Sequence, residues 1–250
     1  MTMIGKIEAL KSLIDGSSRI LILTGAGIST DSGLPDFRSD NGFWKNNKPI
    51  YFNDFVRDLN ARKLSWKRNI ELNLLLKKIS PNSGHDLVRE ILDISENNFL
   101  VTQNIDGLHQ KSGVSENRMI EIHGNATKAK CLECKKEFSL KLFHDAVNDD
   151  RDIPNCDACN SLVKVGTISF GQPMNVEDME HATYLAEKCS LLIVLGSSLV
   201  VQPVASLPMI SIEKNSKLVI INRDPTPYDN DANLVINAEI NDVANDLKAI

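Results

Sequence analysis

No apolar run in these 250 residues reaches the length of a membrane-spanning helix, and residues 191–195 are only strand-sized. Positive charge is not in excess either. A net charge of −5 argues against a polyanion binder, so Lys63, Lys67 and Arg68 read as a solvated helix face. Internal repeats and low-complexity tracts are absent. The first residues, Glu8 among them, lack a signal peptide's continuous apolar core and small-residue cleavage site; they read as an amphipathic helix, and the expected location is cytoplasmic. Cysteine is sparse, at five, which in a reducing compartment points to metal or reactivity before disulfides. What remains is ordinary: 42% hydrophobic and 24% charged residues, enough for one large domain or a domain with an insertion.

The chain is organised around residues 21–38. The apolar run Ile20-Leu21-Ile22-Leu23 breaks into Thr24-Gly25-Ala26-Gly27, then resumes with the helix-start residues Ser29, Thr30 and Asp31. A buried strand passing through a glycine turn into a helix N-terminus can cradle a phosphate, because glycines admit the ligand and unpaired N–H groups face it. Gly25 and Gly27 match a dinucleotide fingerprint, but Thr30 stands where its third glycine would be. Alone, the stretch reads equally well as a tight turn without a ligand.

Residues 3–14 fit a helix. Residues 40–80 are polar and aromatic, with Phe43, Trp44, Tyr51, Phe52, Phe55 and Trp66, and carry a helical period from 59 to 79. His85 and the apolar Leu87, Val88, Ile91 and Leu92 follow as a core-facing helix. Residues 99–102 form a short buried strand ending in the polar cluster 103–107, which is either a ligand crevice or a surface loop. A β-rich run at 119–122 leads to His123-Gly124. From Val165 the sheet pattern returns, first at 167–170, then at 191–195, 218–221 and 234–237, with helices at 177–188, about 205–214 and 240–247. Strands alternating with helices predict a doubly wound parallel α/β sheet of Rossmann type.

Cys131-x-x-Cys134 and Cys156-x-x-Cys159, 21 residues apart, form the strongest single motif. Each pair bends as a knuckle presenting two thiolates to one tetrahedral ion, and four thiolates leave no open position, so a structural zinc is expected. Cys189 has no such partner and reads as a core thiol.

The ordered set GAGISTDSGLPDFR, TQNIDGLH, IEIHG, the two CxxC pairs, SFGQP, GSSLVVQP and IN resembles the sirtuins, the NAD-dependent protein lysine deacylases, in particular their short prokaryotic-type members. The resemblance implies a Rossmann-type domain (1–32, 81–125 and 167–250) and a small domain made of a helical segment (33–80) and a zinc ribbon (126–166). Carried over by position, Gly25, Ala26 and Gly27 would bind the NAD pyrophosphate, and Asp36, Phe37 and Arg38 would lie on the mobile cofactor-binding loop. Gln103 would reach the nicotinamide ribose, and Asn104 and Asp106 would seat the nicotinamide. Gly196, Ser197 and Ser198 would line the phosphate and ribose side, Asn222 and Arg223 would meet the adenosine ribose, and Ile240 the adenine. Cys131, Cys134, Cys156 and Cys159 would hold one Zn²⁺.

A histidine before glycine is by default structural, but in the family's catalytic motif His123 is implied to be the base, with Asn104 orienting the ribose and a water. The implied reaction starts with attack of the acyl-lysine carbonyl oxygen on C1′ of the nicotinamide ribose and release of nicotinamide. His123 then acts as base on the ribose hydroxyls, the 2′-OH attacks the resulting alkylimidate, and hydrolysis by one water gives free lysine and O-acyl-ADP-ribose. The acyl-lysine peptide would add as a strand between Ile168, Phe170 and Gly171 on one side and Leu199 and Val200 on the other, with Phe170 walling the acyl tunnel. Gln172, Val165, Ser169 and Ser197 depart from the family's commonest residues but leave the proposed base, nicotinamide site and zinc ligands in place. The expected partners are acyl-lysine proteins, with no direct nucleic acid or membrane contact, and the expected state is a monomer or weak oligomer. The same NAD site would serve a mono-ADP-ribosyltransferase or a non-catalytic NAD sensor, the two alternatives.

Overall fold

The computed structural model describes residues 1–35, 48–148 and 153–250. Asp36, Phe37, Arg38 and the part of the expected helical segment at 39–47 lie outside the described residues.

After helix α1 (Met3–Asp15), strand β1 (Ile20–Thr24) enters the centre of a six-stranded parallel sheet. The other strands are β2 (Phe99–Thr102), β3 (Met119–Glu121), β7 (Leu191–Leu195), β8 (Lys217–Ile221) and β9 (Leu234–Ile236), in the order β3-β2-β1-β7-β8-β9. The chain builds outward from β1 on one side, returns to lay β7 beside β1, and builds outward on the other. Such a reversal opens a crevice at the carboxyl ends of the two central strands.

Apolar runs form these strands because both faces are covered. Ile20 and Ile22, Leu191 and Ile193, and Val219 and Ile221 point into one core, while Leu21 and Leu23, Leu192 and Val194, and Leu218 and Ile220 point into the other. The first core is closed by α1, by α4 (Ser83–Ile94) and by α9 (Ile240–Lys248), and the second by α7 (Val176–Lys188) and α8 (Leu207–Glu213). Asn82 starts α4 with a capping box closed by the His85 side chain, and the one-turn helix α5 (Leu108–Lys111) follows β2.

A smaller antiparallel sheet, in the order β5-β4-β6, joins β4 (Gly124–Cys131), β5 (Glu137–Ser139) and β6 (Val163–Thr167). It shares a core with α2 (Phe52–Arg57), α3 (Leu59–Leu76) and α6 (Leu140–Asn148). Trp66 of α3 stacks on Phe143 of α6, with ring centroids 4.3 Å apart. Asp58 separates α2 from α3 by accepting the Asn60 and Ala61 amides as an N-cap.

The segment 167–170 is a correction. The sequence pattern assigns it to the returning parallel sheet, but Thr167 ends β6 opposite Gly124, and residues 168–170 are in no strand. The reason is local. Ile168 N–H donates to the His123 carbonyl at 2.8 Å, and Gln172 then closes a turn by donating its amide to the Ser169 carbonyl and accepting the Ser169 amide on Oε1. Among the described residues no helix is long and apolar enough to cross a membrane.

Candidate active site and metal centre

The glycine turn after β1 is locked against the turn after β7. Gly25 N–H donates to the Leu195 carbonyl at 3.0 Å and Gly27 N–H to the Gly196 carbonyl at 2.9 Å. A Cβ on Gly25 would lie 2.7 Å from the Gly196 oxygen, and one on Gly27 2.8 Å from the Gly196 Cα. Gly196 itself has a φ of +64°, and a Cβ there would overlap the Ile28 nitrogen. This corrects one detail of the expected cradle, unpaired amides at the glycine turn. The element after the turn is a 3-10 helix (Ala26–Ser32), and the Gly25 and Gly27 amides are engaged by protein rather than open to an anion. The glycines are needed first for backbone-on-backbone approach. Thr30, standing where the third fingerprint glycine would be, donates its hydroxyl to the Gly27 carbonyl at 2.9 Å and tightens the turn.

The other sequence-derived positions gather at the same edge of the sheet. Gln103 follows β2, and its amide donates to the Thr24 carbonyl at 2.9 Å. Its side chain crosses the crevice to donate to Ser197 Oγ at 2.8 Å. His123 follows β3, with Nδ1 3.2 Å from the Gln103 carbonyl. A carbonyl only accepts, so Nδ1 carries the proton and Nε2 the lone pair, the tautomer a general base requires. Asn222 follows β8, and its amide donates to the Ile236 carbonyl at 3.2 Å. Exposed Arg223 lies beside Glu239. Ile240 begins α9, but its side chain is only 5% exposed and packs in the core.

Beneath the crevice lies a buried polar network. Asn104 Nδ2 donates to the Gly25 carbonyl at 3.1 Å and to Ser29 Oγ at 3.2 Å. Both amide protons are thus engaged, which fixes the amide's orientation. Asn104 Oδ1 is left buried without a partner among the described residues. Such an orphan acceptor suits a ligand's hydroxyl, amide or water. Ser29 Oγ also donates to Asp106 Oδ2 at 2.8 Å, and the Leu108 amide donates to Oδ1 at 2.8 Å. Ser29 Oγ lies 3.5 Å from His85 Nε2, and the His85 ring lies 5.0 Å from that of His109. Acceptor-only carboxylate oxygens and an orphan amide oxygen fit a cationic ring bearing an amide NH2, such as nicotinamide.

Burial sets the charge states here. It pushes His85 down to about 4, against a smaller opposing pull from Asp86, and His109 down to about 3, with His85 adding in the same direction. Burial raises Asp106 and Glu121. Both histidines are neutral at pH 7. A histidine with a depressed folded pKa contributes stability that is complete above its unfolded value near 6.5 and is lost as pH falls towards the folded value. For His85 this is on the order of 3 kcal/mol between pH 6.5 and 4. Asp106 and Glu121 act oppositely, since they take up protons more readily in the folded state. Comparing wild type with His85→Asn isolates the histidine. The fall in melting temperature from pH 7 to pH 4.5 should be smaller in the variant; an equal fall in both proteins would contradict the assignment.

The positions assigned to the peptide adjoin these residues: the Ile168 amide donates to the His123 carbonyl, and the Leu199 amide to Ser197 Oγ at 3.3 Å. Phe170 is 47% exposed, its ring centroid 6.1 Å from that of Tyr51, and its carbonyl accepts the Phe52 amide at 2.9 Å. It is therefore not a core aromatic. Gly171 turns with a φ of +76°, Leu199 is buried with a φ of +52°, and Val200 is exposed. Ser198 is half-buried beside them.

The four cysteines converge. Cys131, Cys134, Cys156 and Cys159 hold their sulfurs within 4.8 Å of one another, with Cys131–Cys159 at 3.4 Å and Cys134–Cys156 at 3.6 Å. Four sulfurs about 2.3 Å from one tetrahedral zinc would lie about 3.8 Å apart, so the set fits that ion. Lys136 and Asp157 tie the two knuckles together at 2.7 Å. Cys189 is a buried core thiol packed against Ser216.

Sequence reasoning missed Ser29, His85, His109, Thr24 and Thr102 as parts of this network. One signal for them was available: two buried strands, β1 and β2, each end in a threonine.

With this geometry in hand, the model of the Sir2 family matches residues 25–203. The chain is 44% identical to an NAD-dependent protein deacetylase of Rhodopseudomonas palustris over 94% of its length and 92% of the relative's. It is 36% identical to one of Thermotoga maritima, covering 94% of each chain. Among solved structures, a complex described as Sir2-p53 peptide-NAD+ superposes with a TM-score of 0.87 at 32% identity, covering 100% of this chain and 98% of that one.

Proposed function

The chain belongs to the Sir2 family and is an NAD-dependent protein deacetylase, and from that premise we propose how its residues divide the work. NAD, when bound, supplies a nicotinamide leaving group and ribose hydroxyls that receive the acyl group. Gly25, Ala26, Gly27, Gly196, Ser197 and Ser198 line its pyrophosphate side, Asn222 and Arg223 its adenosine end, and Ile240 supports the adenine from the core. Asp36, Phe37 and Arg38, outside the described residues, are assigned to the nicotinamide half by the family resemblance alone. Asp106 accepts from the carboxamide NH2, and the Asn104 orphan oxygen accepts from the ribose or a water. His123, its Nδ1–H held on the Gln103 carbonyl, takes a proton from a ribose hydroxyl on Nε2. The acyl-lysine peptide lies between the two sheets, against Ile168, Phe170 and Gly171 and against Leu199 and Val200. The zinc ribbon and α2–α3 form the small domain that makes the second wall.

The linkage from His123 through Gln103 to Ser197 carries this reading, because it ties the base to the crevice at the β1–β7 reversal. Incubation of an acetyl-lysine peptide with the protein and NAD tests it by mass spectrometry. Loss of the acetyl mass only when NAD is present is expected, with one nicotinamide released per peptide. ADP-ribose gained by protein while the peptide stays acetylated would instead assign mono-ADP-ribosyl transfer.

A further inference from the structure

Asn104 lies two residues beyond β2, where no strand pairing holds its backbone. Its N–H donates instead to Thr102 Oγ1 at 3.1 Å. Thr102 Oγ1 bonds Thr24 Oγ1 at 2.8 Å, and Thr24 Oγ1 lies 3.0 Å from His109 Nε2. The parallel register of β1 and β2 sets Thr24 opposite Thr102, so two hydroxyls from distant sequence meet at the strand ends. The next residue along β1, Gly25, accepts the Asn104 side-chain amide. The end of β1 therefore holds Asn104 twice: through Thr24 and Thr102 at the backbone, and through Gly25 at the side chain. His109 backs that end.

His109 is a poor choice for stability alone. It is 1% exposed, and its Nδ1 is buried without a partner among the described residues. Burial keeps the ring neutral, so it makes no ion pair in return. An apolar side chain of similar size would avoid the unsatisfied nitrogen. What only the imidazole supplies is the bond to Thr24.

We propose that His109 is a positioning residue of the deacetylation site, holding Asn104 in place through Thr24 and Thr102. Buried at 1% exposure, it acts through Asn104 and not on substrate directly. The proposal rests on Asn104's role in the reaction given above.

The test uses His109→Leu, Thr24→Val and His109→Gln, the last able to reach Thr24 with its side-chain NH2. Two readouts are taken on the full chain: hydrogen exchange at the Asn104 amide without NAD, and kcat with KM for NAD and peptide. Loss of one hydrogen-bonded link predicts about tenfold faster exchange at Asn104 and about tenfold lower kcat for His109→Leu and Thr24→Val, equivalent to about 1.4 kcal/mol. Exchange on β7 and β8 and the peptide KM should stay within about twofold of wild type, and His109→Gln should restore both readouts to within about threefold. Wild-type exchange and kcat in His109→Leu would overturn the proposal. So would faster exchange across the whole sheet with kcat per folded molecule unchanged, or a His109→Gln as impaired as His109→Leu. If wild type itself fails to deacetylate, the role given to Asn104 falls, while exchange at its amide still reports whether the chain from His109 holds it.

Discussion

Replacing His123 by alanine is expected to lower kcat for deacetylation by about 10²–10⁴-fold, the range a positioned general base supplies. His123 is oriented rather than merely present: the Gln103 carbonyl selects the Nδ1–H tautomer, and the Ile168 amide holds its own backbone carbonyl. The crevice is built mainly by other contacts, such as Gly25 to Leu195, Gly27 to Gly196 and Asn104 to Gly25, which the substitution leaves in place. NAD affinity and melting temperature should therefore change little. In the proposed sequence the base acts after nicotinamide departs, so exchange of labelled nicotinamide into NAD, in the presence of acetyl-peptide, should fall far less than deacetylation. A variant that deacetylates within threefold of wild type would remove His123 from the chemistry. Equal losses of exchange and deacetylation would move its role to the first step.

Zinc removal should be nearly as damaging, though for a structural reason. Cys131 and Cys156 are buried in the core that α2, α3 and α6 share with the smaller sheet, while Cys134 and Cys159 are exposed. β5 is three residues long, and the core around it is small, so ion binding, on the order of 10 kcal/mol for small zinc modules, contributes much of the local folding energy. Chelation, or Cys134→Ser, should disorder β4–β6 and unstack Trp66 from Phe143. In a Trp44→Phe background, Trp66 emission should then shift to the red, with deacetylation lost and the parallel sheet still folded. Metal analysis should find one zinc per chain before treatment. Unshifted emission and full activity after stoichiometric removal would contradict a structural role.

The parallel sheet is legible in the sequence because its strands are buried on both faces. That burial demands the unbroken Ile, Leu and Val runs of β1, β7 and β8, which give way to Thr24-Gly25, Gly196 and Asn222 where the crevice opens. The cysteine centre is legible because its ligands sit in two local knuckles, so spacing carries the geometry. The network under the crevice is not legible in the same way. Ser29 meets Asp106, and Thr24 meets His109, across 77 and 85 residues, and only the β1–β2 register brings them together. The turn glycines are visible as glycines, yet their main contact is the backbone of Gly196, far along the chain. Residues 168–170 mislead because an apolar and aromatic pattern suits a strand, whereas the Ile168 amide is captured by His123.

The most direct test of the account is the mass of the nucleotide product formed from NAD and an acetyl-lysine peptide. Transfer of the acyl group to a ribose hydroxyl with His123 as base predicts ADP-ribose carrying one acetyl group, in equal amount to deacetylated peptide and free nicotinamide. ADP-ribose without the acetyl group, alongside a peptide still acetylated, would contradict it.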